Sequence, residues 1–383
     1  MTTARALALR TIQKAQKGAF VNDLLNAELN RSALEPRDRR FVTELVYGTV
    51  RQQRALEFVW RQLISRDPSA EEFAGLQLGA YQLLHLDVDT HAAVNETVGA
   101  LALRARPMVN AVLRKIADRR AEPIVWPNIA TELSYPDWVV DRLIADLGHD
   151  DAVEMLRAMN QPATATSRDD GYTQDLGSQW VATLAGAQQG ERVLDVCAAP
   201  GGKATALATA VGPTGLVIAG DRTTSRLRRL SENMNSYAPD NSVVAQLDGL
   251  TLPIAAGSMD RVLVDAPCSG LGVLARRPDA RWRVQQSDVT SLGAQQLELL
   301  TAATDTVRDG GTLVYSVCTV TRAETDDVVQ ALLQRDPRLT LDTSAWVGQA
   351  TALGFDRTDT GVRILCQRHA TDAMFVARLR VNA

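Results

Sequence analysis

Only four cysteines occur in the 383 residues, at positions 197, 268, 318 and 366. They form neither CxxC pairs nor a dense framework, which excludes a disulfide-stapled scaffold and a structural zinc ribbon, so no metal site is expected. No run approaches the eighteen or so consecutive apolar residues of a membrane-spanning helix. The opening MTTARALALRTIQKAQKG lacks the apolar core and small-residue cleavage site of a secretory signal. A cytoplasmic protein with reduced thiols and no membrane partner is expected. Two nucleotide signatures are also missing. Cys197 stands at the first glycine and Ala204 at the Ser/Thr of an otherwise Walker-like loop, which disfavours magnesium triphosphate, and the dinucleotide pattern GxGxxG does not occur.

What is present is ordinary for globular protein, with 45% hydrophobic and 22% charged residues, and the length calls for two or three domains. The net charge of −4 is unevenly spread. Residues 1–125 carry 18 Lys+Arg against 14 Asp+Glu, whereas 126–383 carry 23 against 31. The first portion is therefore the better candidate for a polyanion surface. Its apolar residues recur at helical spacing, as in FVNDLLNAEL and FAGLQLGAYQLLHL, and predict an all-α bundle of about six or seven helices over 1–125. The stretch 126–170, with Trp126, Pro127 and Pro136 and then WVVDRLIADLGHDDAVEMLRAMN, reads as a linker and short helical region.

Residues 171–383 change grammar to strands alternating with amphipathic helices: ERVLDVCAAPGGKATALATAV, GLVIAGDRTTSRLRRLSENMN, VVAQLD, DRVLVDAPCSG and GGTLVYSVCTV. This predicts a mostly parallel sheet covered on both faces, with ligands at the strand ends. The loop Cys197-Ala198-Ala199-Pro200-Gly201-Gly202-Lys203 lets backbone approach a ligand and leads into a helix N-terminus. With triphosphate and dinucleotide disfavoured, the remaining candidate is a nucleoside without pyrophosphate, S-adenosylmethionine. Asp221 is suited to the ribose hydroxyls and Asp248 to the adenine amino group. Cys268 and Cys318 each follow a strand, and the turn-forming neighbours of Cys268 suggest exposed thiol chemistry rather than packing. Arg276, Arg277, Arg281 and Arg283 are candidate phosphate contacts, while Trp282 among them is expected in the core. Cys366 reads as a core residue of a late strand, and RILCQRHATDAMFVARLRV as a closing β-hairpin turning at Thr371-Asp372.

Three segments, DVCAAPGGK at 195–203, DAPCSGLGVLARRPDARWR at 265–283 and GGTLVYSVCTVTRAETDDVV at 310–329, together resemble the Nop/Sun RNA cytosine-C5 methyltransferases, especially the bacterial Sun/Fmu-type 16S rRNA enzymes. The helical portion resembles their NusB-like domain through RDRRFVTELVYGTVRQ and LGAYQLLHLDVDTHAAVNETV. The resemblance implies an α/β Rossmann-like class I methyltransferase domain preceded by an all-α NusB-like RNA-binding domain. It implies S-adenosylmethionine as cofactor and RNA as partner, 16S rRNA at cytosine 967 foremost and tRNA as a second choice, with the protein acting as a monomer. It further implies that Cys318 adds to cytosine C6, that Cys268 assists release of the adduct, and that Asp265 contacts cytosine N3 and the cofactor. Lys203 either lowers the energy of the thiolate or neutralises nearby carboxylates. One departure stands out: family members usually carry several dozen more residues before the Rossmann domain, where NQPATATSRDDGYTQDLGSQW passes almost directly here. The rival readings are a non-catalytic assembly factor and a DNA methyltransferase, the latter disfavoured because no separate target-recognition domain is visible.

Overall fold

A computed structural model describes residues 3–164, 166–238, 240–343 and 347–383. The chain divides into two compact units, Met1–Val140 with Arg277–Arg283, and Asp141–Arg276 with Val284–Ala383.

The first unit is helical: α1 (Ala4–Ala15), α2 (Val21–Arg31), α3 (Pro36–Arg51), α4 (Gln53–Arg61), α5 (Ala70–His85), α6 (Thr90–Gly99), α7 (Arg106–Asp118) and the short α8 (Ile129–Glu132). Local signals start these helices. Pro36 opens α3, where its missing N–H costs nothing, and the Asp89 carboxylate accepts from Ala92 N ahead of α6. Their apolar stripes converge on Leu7, Leu45, Leu56, Trp60, Leu76 and Leu113, all essentially inaccessible to water. The segment 126–170 is shared between the two units rather than standing apart. Trp126 packs on Phe58 with ring centroids 5.6 Å apart, and α8 lies in the first unit.

At the start of α5, Ser69 and Glu72 form a reciprocal capping box, and Glu72 also receives the Arg66 guanidinium at 2.6 Å. The Arg66 hydrogen bond, outweighing burial and helped by Ser69, holds the Glu72 carboxyl down at about 2. We expect Glu72→Ala to cost the first unit about 1–2 kcal/mol, read by hydrogen exchange of the α5 amides. Because the folded pKa is depressed, this contribution is complete above the ordinary carboxylate range and disappears as pH falls through about 2.

The second unit begins within α9 (Asp137–Leu147), followed by α10 (His149–Ala158) and α11 (Leu176–Ala185). Then come β1 (Arg192–Asp195), α12 (Gly202–Val211), β2 (Leu216–Asp221), α13 (Thr224–Tyr237), β3 (Ser242–Gln246) and β4 (Met259–Asp265). After α14 (Ala280–Arg283), which belongs to the first unit, the chain forms α15 (Gln286–Thr304), β5 (Val307–Val317), a 3₁₀ turn (Arg322–Glu324) and α16 (Asp326–Arg335). It finishes with β6 (Leu339–Leu341), α17 (Val347–Ala352), β7 (Asp356–Arg357), β8 (Val362–Ile364), α18 (Cys366–His369) and β9 (Met374–Val381).

These strands make one sheet in the order β3-β2-β1-β4-β5-β9-β8-β7, with β6 beside β9. Successive residues alternate between two cores. Val193, Leu263 and Val314 face α11, α12 and α13, while Leu194, Val262 and Leu313 face α15 and α16. Burial on both faces explains why these strands are continuously apolar in sequence. Only the β3-β2-β1-β4-β5 half is parallel; β9, β8, β7 and β6 pair antiparallel, so the sheet is mixed rather than mostly parallel. The expected closing hairpin exists as the β8–β9 pair, Val362 opposite Val376. Cys366, however, is not in a strand: it opens α18, buried, in the connection between the two.

Candidate active site

Parallel pairing brings the ends of β1, β2, β4 and β5 to one edge, with Asp195 level with Leu263 and Asp265 level with Ser316. The chain then turns. After β4, Gly272 lies so close to the backbone that a Cβ there would sit 2.2 Å from the Ala373 carbonyl oxygen and 2.9 Å from that of Cys318. Only glycine lets this loop be stitched by Gly272 N to Cys318 O and by Ala373 N to Gly272 O. The stitching sets Cys268 Sγ 3.2 Å from Cys318 Sγ.

Beside the thiols, Asp265 Oδ2 accepts from Lys203 Nζ at 2.8 Å and Oδ1 from Ser316 Oγ at 2.7 Å. Lys203 is the only lysine after Lys115 in an arginine-rich chain; a compact ammonium, unlike a planar guanidinium, acts as a point charge. Burial opposes that charge, but Asp265, Cys318 and Asp195 outweigh it and raise the Lys203 pKa. The Cys268 thiol is pushed well up by its hydrogen bond to Cys318, by burial, and by the charges of Cys318 and Glu324. The thiolate form of Cys268 is thereby disfavoured, and either sulfur can donate in the contact between them. Cys197 is also pushed up, chiefly by burial and then by the Asp195, Asp265 and Asp221 carboxylates, which leaves it an inert thiol.

Two matches follow this geometry. The sequence model of the family described as 16S rRNA methyltransferase RsmB/F matches residues 182–380, and that of the NusB family residues 2–118. The chain belongs to the RsmB/F family. A relative from Synechocystis sp., named probable ribosomal RNA small subunit methyltransferase B, is 32% identical and covers 99% of this chain and 100% of its own. Ribosomal RNA small subunit methyltransferase B of Erwinia tasmaniensis is 30% identical, covering 99% of each chain. The Synechocystis alignment spans 453 positions, well beyond the 383 residues here. Among solved structures, that of PH0851 shares the fold with a TM-score of 0.78, at 19% identity and 99% coverage of both chains.

As an RsmB/F-family member the protein is an S-adenosylmethionine-dependent RNA methyltransferase. The strand edge fits that cofactor. Asp195 is fully buried and, among the described residues, its carboxylate oxygens make no hydrogen bond of full geometry, the Cys197 N–H lying near enough only to ease its charge, so a polar ligand would satisfy them. Burial, reinforced by Asp265, pushes its carboxyl up to about 8. In the sequence Asp195 is only the first residue of DVCAAPGGK, and nothing local marks its burial. In the loop that follows, Ala198 and Ala199 are buried, Pro200 is exposed, and Gly201 takes φ +112°, a conformation L side chains rarely adopt. A Cβ on Gly202 would stand 2.9 Å from the Gln174 amide. Arg226 and Asn233 hold the Ala199 and Pro200 carbonyls at 2.6 and 2.7 Å. Asp221 is buried, accepting from Thr223 N and lying 3.2 Å from the Arg226 guanidinium. Asp248, half-buried beyond β3, accepts from Leu250 N.

The expected arginine cluster does not form. Arg276 is tied to Asp175 at 2.6 Å and Asp372 at 2.9 Å. Arg281 is completely buried in the first unit, its guanidinium 3.9 Å above the Tyr135 ring and donating to the Arg51 and Ser134 carbonyls. Arg283 covers Phe20 and donates to Gly18 O. Burial takes Arg281 out of reach of a phosphate, so the reading of Arg281 as a phosphate contact is corrected; Arg276 is part-buried in its ion pairs, while Arg277 and Arg283 are exposed. Trp282, expected in the core, packs half-buried on the helical core and donates its indole N–H to Val50 O.

Proposed function

We propose that the chain methylates C5 of a cytosine in 16S rRNA, cytosine 967, as a monomer, through a covalent bond between Cys318 and C6. The observation that carries this reading is the pair of thiols 3.2 Å apart at the cofactor edge. Cytosine C5 is a poor nucleophile until a nucleophile adds at C6. The Cys318 thiolate, next to the Lys203 ammonium and the Cys268 S–H, forms the C6–S bond, and the C5=C6 electrons become available at C5. Bound S-adenosylmethionine supplies the methyl group to C5.

Asp265 holds a proton or strong hydrogen bond at N3, stabilising the addition product, while Lys203 keeps its charge against that carboxylate. Once Cys318 is a thioether, Cys268 loses the neighbouring charge that raised its pKa. It can then ionise and take the C5 proton, directly or through water. The C5–H electrons restore C5=C6, and the C6–S bond breaks to return the Cys318 thiolate. The NusB-like helices and the exposed Arg277 supply RNA contacts, and the target base is presented unstacked.

Incubation with methyl-labelled S-adenosylmethionine and unmethylated 16S rRNA, 30S subunits, tRNA or DNA tests the substrate. Label recovered as 5-methylcytosine from 16S rRNA or 30S subunits is expected. Label confined to tRNA or DNA contradicts the assignment, and cofactor binding without transfer to any of them favours a non-catalytic assembly factor.

A further inference from the structure

Glu324 closes the 3₁₀ turn that follows Cys318, and it is completely buried. Its carboxylate accepts four hydrogen bonds: from Ser269 N at 2.7 Å, Ser269 Oγ at 2.6 Å, Thr321 Oγ1 at 2.9 Å and Gln296 Nε2 at 3.2 Å. Among the described residues these donors are all neutral. A buried anion without a counter-charge is costly, and here the compensation comes entirely from oriented donors.

The donors have a common location. Ser269 immediately follows Cys268, and Gln296 also donates to Pro267 O, immediately before Cys268, at 2.9 Å. Tyr315, on the strand leading into Cys318, shares its one hydroxyl proton between Glu324 O at 2.6 Å and Gln296 Oε1 at 2.9 Å. Both neighbours of Cys268 are thereby tied through one carboxylate to the segment carrying Cys318. We propose that Glu324 is a positioning residue that fixes Cys268 against Cys318 through Ser269, so that release of the covalent intermediate keeps pace with its formation. This rests on the roles given above to the two thiols. The Glu324 charge is also among the groups that keep the proton on Cys268, after the Cys318 hydrogen bond and burial.

Glu324→Gln preserves volume but replaces one acceptor oxygen by a donor amide, so the four donors can no longer all be satisfied. The expected result is a kcat lowered by about ten- to a hundredfold, the penalty of a slightly misplaced group. Cofactor affinity and initial binding of RNA are expected to stay unchanged, a denaturation-resistant protein–RNA adduct to accumulate on ordinary cytosine-containing RNA, and the KM for RNA to fall with kcat because release has become limiting. Cys268→Ala is the reference: if it accumulates no such adduct, the reading of Cys268 fails rather than that of Glu324. If it does and Glu324→Gln turns over normally, or loses cofactor binding together with turnover, the inference is overturned. Should Glu324→Gln not fold, Ser269→Ala decides, since it removes one hydroxyl donor and leaves the backbone bond. Adduct accumulation with kcat and KM lowered together supports the inference, and normal release overturns it.

Discussion

Cys318→Ala is expected to abolish methyl transfer, lowering turnover by at least about 10³-fold, the scale on which loss of a covalent nucleophile acts. Cofactor binding should persist, because the hydrogen bonds that hold the Ala199 and Pro200 carbonyls come from Arg226 and Asn233 and not from Cys318. Cys268→Ala should fail differently. It leaves the Lys203–Asp265 pair beside Cys318 intact, so addition at C6 and methylation proceed and the enzyme stalls with RNA attached. Electrophoresis under denaturing conditions after incubation with ordinary substrate separates the two outcomes: no adduct for Cys318→Ala, accumulating adduct for Cys268→Ala. Equal loss in both without adduct would remove the division of labour.

Asp265→Asn is expected to lower kcat by about 10²–10³-fold, comparable to removing one preorganised donor or acceptor from the charge-developing centre of an acyl-transfer enzyme. The amide keeps the shape of the side chain and its reach to Ser316, but the anion facing Lys203 at 2.8 Å is lost. Two deficits follow together: N3 of the base loses its partner, and the Lys203 ammonium loses the largest of the charges that sustain it against burial. Lys203→Met should cost less in the Asp265→Asn background than in the native chain, because the two groups act as one unit. Single-turnover rates of the four proteins measure that coupling; strict additivity would mean that the pair does not act together.

Much of this was legible in the sequence because it is written locally. Period and composition place the strands, and a cysteine or aspartate at a strand end reaches the ligand edge whatever the rest of the chain does. The cysteine pair and the glycine loop were therefore visible as residue types in short motifs. Three features were not, since each depends on partners far along the chain. Arg281 belongs to a basic run that reads as an RNA surface, yet Arg51, 230 residues away, and Tyr135 bury it. Glu324 is an unremarkable acid until Ser269, 55 residues earlier, and Gln296 deliver their donors. The antiparallel half of the sheet arises because β9 returns to lie between β5 and β8, pairing with both, which no local pattern announces.

The central claim is that Cys318, and not its neighbour 3.2 Å away, forms the bond to cytosine. RNA carrying 5-fluorocytosine at the target position retains the covalent link, because the fluorine at C5 cannot leave as a proton does. Proteolysis of the trapped complex followed by mass spectrometry identifies the attached peptide. The account predicts a nucleotide joined to the YSVCTV peptide at Cys318, lost in Cys318→Ala and retained in Cys268→Ala; attachment at Cys268 in the DAPCSG peptide would contradict it.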